Sequence, residues 1–201
     1  DFRKPFRRHL VEGGLDKVGK LHDFPVFNGK YSTTCYVDAV VAAMDDLVSR
    51  LDTDPLEFLD SVSVALFHRP YHKMPLQGLA TLYVHALART NSRPNELREL
   101  CTLAGVDLEA VRTEAAQSPD LVAHVEAGAH DRDVTPNITA CVRALRKTDA
   151  YQARVQEPLR LGSSLMMDLG NLYTASLPAW IAAAFEEAID SDTDSRLQPG
   201  E

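Results

Sequence analysis

The chain has 201 residues, 45% of them apolar and 25% charged, which is the size and composition of one globular domain. Its formal net charge of -8 argues against nucleic acid as a partner, because phosphate binding requires a basic surface. No apolar run approaches the roughly 18 residues of a membrane span, and the basic N-terminus has no apolar core after its charges, so neither a membrane span nor a signal peptide is expected.

In chain order, glycine and proline interrupt residues 1–30, which predicts irregular structure there. Apolar residues then recur at helical spacing through residues 36–48 and predict a helix, which one of the hydroxyl side chains at 32–34 could cap. The alternating run SVSVALF, residues 61–67, predicts a strand with both faces covered.

Three helical regions are predicted after the strand. A helix follows the strand from near Pro75, and residues 90–150 are polar and broken by glycine and proline, which predicts an insertion of short helices. Apolar positions across residues 180–189 predict a last amphipathic helix. Strand, polar turn and helix in this order predict an α/β layered fold.

Two histidines and a lysine lie between the predicted strand and the next helix, in FHRPYHKM. His68 stands at the carboxyl end of the strand, where ligands gather in such sheets, and Pro70 prevents regular continuation. Lys73 stands near a helix N-terminus, which favours an anion, and it is either a phosphate-binding residue or a solvated surface lysine. A zinc site of His68, His72 and His85 is a weaker interpretation, because Pro70 opposes one helical face and no HExxH or nearby cysteine is present. Taken alone, a histidine beside a strand end is more often structural than functional.

The three cysteines form no CxxC pair, which suits a reducing cytoplasm. Cys35, near a possible helix N-terminus, is a candidate nucleophile because thiols there are more acidic. The alternative, which we favour, is a buried structural cysteine. Cys101 and Cys141 are expected to fill the core of the insertion.

The stretch DLGNLYTASL places four hydrogen-bonding side chains within six residues, directly after a glycine. Gly170 permits a backbone shape closed to other residues or the close approach of a ligand. Thr174 or Ser176 could cap the helix that follows, which accounts for one or two of the four side chains. Asn171 and Tyr173 then remain as candidates for binding.

Three stretches together resemble the hydroxymethylglutaryl-CoA synthase family of the thiolase superfamily. DFPVFNGKYSTTCYVDAV is similar to the family's PVxDGKxSxxCYxxAL, ALFHRPYHKM to FHxPYxKM/L, and LGSSLMMDLGNLYTASL to LGSxxGNxYTxSLY. They occur in the family's order, with a helical insertion between the second and third. The resemblance implies that residues 1–201 form the C-terminal half of a thiolase-like layered αβαβα fold, with residues 90–150 as the helical insertion.

The resemblance also implies a reaction, the condensation of acetyl-CoA with acetoacetyl-CoA or a related β-ketoacyl thioester. It implies a cytoplasmic homodimer of the complete enzyme in the mevalonate pathway of isoprenoid biosynthesis, with coenzyme A thioesters as substrates and no further cofactor or metal. The family's nucleophilic cysteine and proton-abstracting glutamate are not in this chain, and Cys35 matches a different, non-catalytic cysteine. The chain, which also lacks the family's closing strands, is therefore expected to be part of a synthase, inactive alone and with apolar surface exposed.

Residue by residue, the resemblance implies two catalytic roles. His68 matches the histidine that polarises the acetoacetyl group, and Asn171 matches the asparagine that hydrogen-bonds the acyl portion. Where the family has SLY, this chain has Pro178 in place of the tyrosine. The residues implied on the substrate and coenzyme A side are Lys73, Pro70, Tyr173 and Ser176.

Two other functions are compatible with the same residues. One is a non-catalytic subunit that binds coenzyme A or an acyl carrier in a condensing-enzyme complex and keeps the pocket without the chemistry. The other is a small unrelated hydrolase that uses Cys35 and His68. Within the condensing enzymes, mevalonate synthesis and β-branching on a carrier protein both fit the motifs.

Overall fold

The computed structural model describes residues 29–117 and 133–190, and within these ranges the fold is helical. A π-helical turn, Gln152–Gln156, continues the helix Asp149–Tyr151, and a 3-10 turn, Tyr173–Ala175, precedes the helix Ser176–Asp190. No helix in this part of the chain is long and apolar enough to cross a membrane. The helices are α1 (Gly29–Leu51), α2 (Pro55–Ser61), α3 (Lys73–Arg89), α4 (Pro94–Ala104), α5 (Leu108–Ala116), α6 (Pro136–Leu145), α7 (Asp149–Tyr151), α8 (Ser163–Leu169) and α9 (Ser176–Asp190).

Helix α3 is the centre of the molecule. Every residue from Gly78 to Ala88 is buried, because α1, α4, α5 and α6 all pack against this helix. A helix that is apolar on all sides is expected in such a position. Gly78 lets α1 come close, since a Cβ at this position would lie 3.2 Å from the Tyr36 ring.

Several helix ends are defined by local hydrogen bonds. Asp54 caps α2 by accepting from the N–H groups of Leu56 at 2.8 Å and Glu57 at 3.2 Å. Asp107 caps α5 in the same way, and Gly105 ends α4 in the left-handed region at φ 69°.

A carboxylate on α2 joins two distant parts of the fold. Asp60 accepts hydrogen bonds from Arg93, beside the start of α4, and from Arg154 in the π-helical turn. Nearby, the Tyr83 hydroxyl donates to Glu96. Burial, reinforced by that hydrogen bond, raises the pKa of Tyr83 to about 12.

The predicted strand at residues 61–67 is wrong. Ser61 ends α2, and the following residues form an irregular segment in which the Ala65 N–H donates to the Pro158 carbonyl at 2.8 Å. Leu66 and Phe67 pack partly against the helical core. No residue of 29–117 or 133–190 is in a strand, so the expected α/β layering is not observed there.

The helix predicted over residues 36–48 is confirmed but begins earlier, at Gly29. The hydroxyl residues at 32–34 therefore lie inside α1, and Thr33 donates to the Gly29 carbonyl at 2.8 Å instead of capping the helix. The irregular structure predicted for residues 1–28 lies outside the described residues.

The other predicted helices are also present. The helix predicted from near Pro75 is confirmed and begins at Lys73, with the proline in its first turn, where a missing N–H is tolerated. The last helix begins at Ser176 and includes the predicted apolar positions. The described parts of residues 90–150 are short helices that share one core with α3, and their status as an insertion stays a prediction.

Candidate active site

His68 lies at the surface in the segment between α2 and α3, and hydrogen bonds fix it from two sides. Its carbonyl accepts from the Tyr36 hydroxyl of α1 at 3.0 Å, and its ring Nδ1 lies 2.8 Å from the Ser176 Oγ of α9. The N–H of Arg69 donates to the same Oγ at 3.0 Å. Burial raises the pKa of Tyr36 above its usual range, so this hydroxyl stays a donor.

Ser176 is fully buried at the first position of α9. Its hydroxyl contacts His68 and Arg69, although it is separated from them by 108 and 107 residues in the chain. The helix cap considered from the sequence is therefore not its main role. Ser176 joins the histidine-bearing segment to the stretch that contains Gly170 and Asn171.

Arg69 is a functional candidate that the sequence analysis missed. The side chain is buried, with 3% of its surface exposed, and its guanidinium donates to the Ser163 carbonyl at 3.3 Å and to the Ser163 Oγ at 3.2 Å. It also lies 4.9 Å from the centre of the Trp180 ring, a cation–π contact, and donates to His72 Nδ1. Burial lowers the pKa of Arg69. In FHRPYHKM the only signal for Arg69 is a positive charge directly after His68.

The three histidines of the possible zinc site lie in three different environments. His68 contacts Ser176, His72 contacts Arg69, and His85 lies buried within α3. Burial lowers the pKa of His72, and the positive charges of Arg69 and Lys73 lower it further. In the described ranges no three histidine, cysteine, aspartate or glutamate side chains are grouped so that they could hold a metal ion. Pro70 and the exposed Lys73 flank His72 on the approach to α3.

Gly170, Asn171 and Tyr173 form an exposed loop that leads into α9. Gly170 has φ 71° and ψ -149°, a backbone conformation that is essentially restricted to glycine. This agrees with the first of the two predictions for Gly170, a backbone shape closed to other residues. The Asn171 Oδ1 accepts from the N–H of Tyr173 at 2.8 Å, and Tyr173 itself has a positive φ and is 77% exposed. That Asn171 and His68 share one pocket, with Lys73 at its rim, stays a prediction.

The match to a known family covers all the residues that the structure describes. A profile described as "Hydroxymethylglutaryl-coenzyme A synthase C terminal" matches residues 19–197. The chain belongs to the hydroxymethylglutaryl-CoA synthase family. The matched range contains both segments that meet at His68 and Ser176. No curated protein and no solved structure gives a match.

Membership of the hydroxymethylglutaryl-CoA synthase family implies a condensing enzyme, and the three cysteines of the described ranges are all buried. The predicted burial of Cys35 is confirmed. Cys101 on α4 and Cys141 on α6 are buried and lie close to each other. Burial raises the pKa of Cys101 and raises that of Cys141 to about 12, so neither is a ready thiolate.

A cavity of about 630 Å³ lies between α1, α3, α5 and α6 of this synthase C-terminal region. A second, of about 430 Å³, lies between α1 and α3. His85 contributes to the lining of both, whereas the site residues assigned from the family motifs line neither. Burial lowers the pKa of His85, with Arg89 acting in the same direction and Asp45 opposing it.

Proposed function

We propose that this chain is the histidine-bearing part of a synthase that condenses acetyl-CoA with acetoacetyl-CoA or a related β-ketoacyl thioester. The supporting observation is the hydrogen bond between His68 and Ser176. These residues come from two different stretches that resemble the family, and the fold joins them across 108 residues of sequence. Motifs that form one site must lie close together in the fold. Motifs that resemble the family by chance have no reason to do so.

The chemistry assigned to His68 follows from the charge that develops during condensation. The acetyl methyl carbanion forms a carbon–carbon bond with the ketone carbon, and the ketone oxygen gains negative charge before it takes a proton. A hydrogen-bond donor held at that oxygen stabilises the transition state. His68, exposed and fixed by its neighbours, provides the first donor, and the exposed Asn171 amide provides the second. Hydrolysis of the thioester then frees the product.

Lys73, Pro70 and Tyr173 form the proposed coenzyme A side of the site. Lys73 is exposed at the first position of α3, where its ammonium and the helix N-terminus both favour a phosphate. Tyr173 presents an exposed aromatic ring beside the Asn171 turn. We place the enzyme in the cytoplasm, with mevalonate formation as its pathway.

The nucleophilic cysteine and the glutamate are proposed to come from the remaining part of the synthase, which also completes the thiolase-like layers and the homodimer. Support comes from large apolar side chains that stay exposed on and beside α8 and α9, where such a part could pack. They are Leu165, Met167, Leu169, Tyr173, Ile181, Phe185 and Ile189.

Substitution of His68 tests this function in the assembled synthase. We expect His68→Ala to lower the condensation rate about a hundred- to ten-thousand-fold and to leave acetylation of the partner cysteine by radiolabelled acetyl-CoA largely intact. The reason is that acetyl transfer is the cysteine's step, whereas His68 acts on the second substrate. Lys147→Ala, an exposed residue outside the three motifs, is the control and should change neither step.

Other outcomes would change the assignment. Loss of both half-reactions would mean that His68 serves the nucleophile. Acetyl label on Cys35 of the isolated chain would favour the small-hydrolase interpretation. A native complex in which no companion chain takes the label would favour the non-catalytic coenzyme A or acyl-carrier subunit.

A further inference from the structure

We propose that Ser176, itself held by the main-chain N–H of Arg69, fixes His68 as the tautomer with its proton on Nε2. Ser176 is then a positioning residue that acts through His68, and not a residue that contacts the substrate. The catalytic role of Ser176 rests on the proposed function, whereas the tautomer of His68 can be measured without an enzyme assay.

The argument begins with the proton of the Ser176 hydroxyl. A serine hydroxyl has one hydrogen to donate and two lone pairs that accept. Ser176 is fully buried, so bulk water does not reach it. One of its neighbours, the Arg69 N–H at 3.0 Å, can only donate. The other, His68 Nδ1 at 2.8 Å, can accept if it carries no proton.

Only one of the two ring tautomers satisfies these contacts. If Nδ1 carried the proton, the Ser176 oxygen would receive two hydrogen bonds, and its own buried hydrogen would have no acceptor among the contacts of the described residues. A buried donor without a partner is unfavourable. With the proton on Nε2, the Ser176 O–H donates to Nδ1 and every group is satisfied.

The Arg69 N–H is held in place by the side chain of the same residue. Its guanidinium is fixed by Ser163 at the start of α8 and lies over the Trp180 ring of α9. Trp180 is anchored in turn, because its indole N–H donates to the Leu161 carbonyl at 2.8 Å. On the other side, the Tyr36 hydroxyl holds the His68 carbonyl. The backbone of His68 and Arg69 is therefore held from two directions.

The selected tautomer is the one that condensation needs. An Nε2–H group can donate to a ketone oxygen that gains negative charge, whereas the opposite tautomer would present a lone pair to that oxygen. The full burial of Ser176 also explains why it is unsuited to direct contact with a substrate.

Nitrogen NMR of the imidazole rings in the 201-residue chain tests the tautomer directly. The spectrum is recorded at alkaline pH, where imidazoles are neutral, and the His68 signals are assigned by their loss in His68→Gln. We expect an unprotonated Nδ1 and a protonated Nε2. The opposite pattern in the wild-type chain would overturn the proposal, and this measurement decides even if Ser176→Ala fails to fold.

Ser176→Ala tests which group sets the tautomer. Its His68 signals should move toward a mixture of the two neutral forms, whereas Thr174→Ala, which removes an exposed hydroxyl two residues away, should leave them unchanged. Unchanged His68 signals in folded Ser176→Ala would show that another group selects the tautomer and would refute the role of Ser176.

The assembled synthase separates this inference from the proposed function. Ser176→Ala should lower kcat for condensation about ten- to a hundredfold, by analogy with groups that orient metal-binding histidines, with little change in KM. If His68 has the expected tautomer but His68→Ala retains full condensation, only the proposed function fails. If His68 is essential but Nδ1 carries the proton, only the positioning inference fails.

Discussion

Gly162 and Gly105 both lie in the left-handed region, with φ 70° and 69°, but have very different surroundings. A Cβ added at Gly162 would lie 2.6 Å from the backbone nitrogen of Ala184 in α9, whereas a Cβ at Gly105 would meet nothing within 4 Å. Gly162 also donates its N–H to Glu187 at 2.8 Å. The loop before α8 therefore lies directly on α9 only because residue 162 has no side chain.

Alanine substitutions at these two glycines should separate backbone strain from steric conflict. Gly105→Ala is expected to lower the free energy of unfolding by about 1–2 kcal/mol, the penalty of a left-handed residue with a Cβ. Gly162→Ala adds a collision with backbone and is expected to lower it by about 2–5 kcal/mol in total. Chemical denaturation measures both variants. Equal losses would mean that α9 moves away from the loop at little cost.

The residues of the candidate site were largely identifiable from the sequence, but their connections were not. His68 and Ser176 each stood out within a motif, yet no spacing rule relates two side chains 108 residues apart. Arg69 was overlooked because a buried arginine gives no periodic pattern and its partners, Ser163 and Trp180, lie in distant segments. Local chemistry is readable from sequence, whereas tertiary hydrogen bonds depend on the complete fold.

At the level of helices and strands, the error at residues 61–67 has a clear physical origin. Alternate burial arises wherever an extended segment lies on a core, and it does not require a neighbouring strand. Here the segment lies on helices and forms a hydrogen bond with Pro158 through Ala65. Helix α3 was predicted more successfully because seventeen residues of helix-compatible, mostly apolar sequence favour only one structure.

The Asp60 hydrogen bonds should stabilise the packing of α2. Asp60→Asn removes the charge that holds Arg93 and Arg154, two partly covered side chains, and we expect a loss of about 1–2 kcal/mol. Asp46→Asn is the matched control, because its pair with Arg50 joins two side chains that are 62% and 75% exposed, and it should cost no more than about 0.5 kcal/mol. Thermal unfolding at low and moderate salt compares them. Equal effects would mean that Asp60 forms only a surface ion pair.

His85 should make the stability of the helical core depend on pH. Burial lowers its pKa in the folded chain below the ordinary 6.5, so the unfolded chain takes up a proton first as the pH falls. Stability is therefore full above about pH 7 and decreases progressively below about pH 6.5. His85→Gln, which cannot gain that proton, should flatten the decrease measured by denaturation between about pH 7 and about pH 5. His72 acts in the same direction, so some slope remains. An unaltered slope in the variant would contradict the assignment to His85.

At the scale of the whole molecule, the exposed apolar side chains of α8 and α9 form a surface that should affect association. Phe185 is 55% exposed and Met167 54% exposed, beside Ile189 at 79%. We expect the isolated chain to self-associate or bind a hydrophobic dye through this surface, and Phe185→Glu with Met167→Glu to suppress both without lowering the melting temperature. Leu103→Glu, at an equally exposed residue of α4, is the control and should have little effect. Dye binding unchanged by the double substitution would locate the apolar surface elsewhere.

The long-range hydrogen bonds of Arg69 and His68 also have a consequence for the order of folding. They close chain loops of 94, 107 and 108 residues, whereas α3, α4 and α5 are neighbours in sequence and can associate early. During synthesis, the histidine segment leaves the ribosome long before Ser163, Ser176 and Trp180 exist. The helical core can therefore assemble first, and the site forms only when the last helices dock. Pulse-labelled hydrogen exchange during refolding should accordingly find the amides of α3 protected before the amide of Arg69.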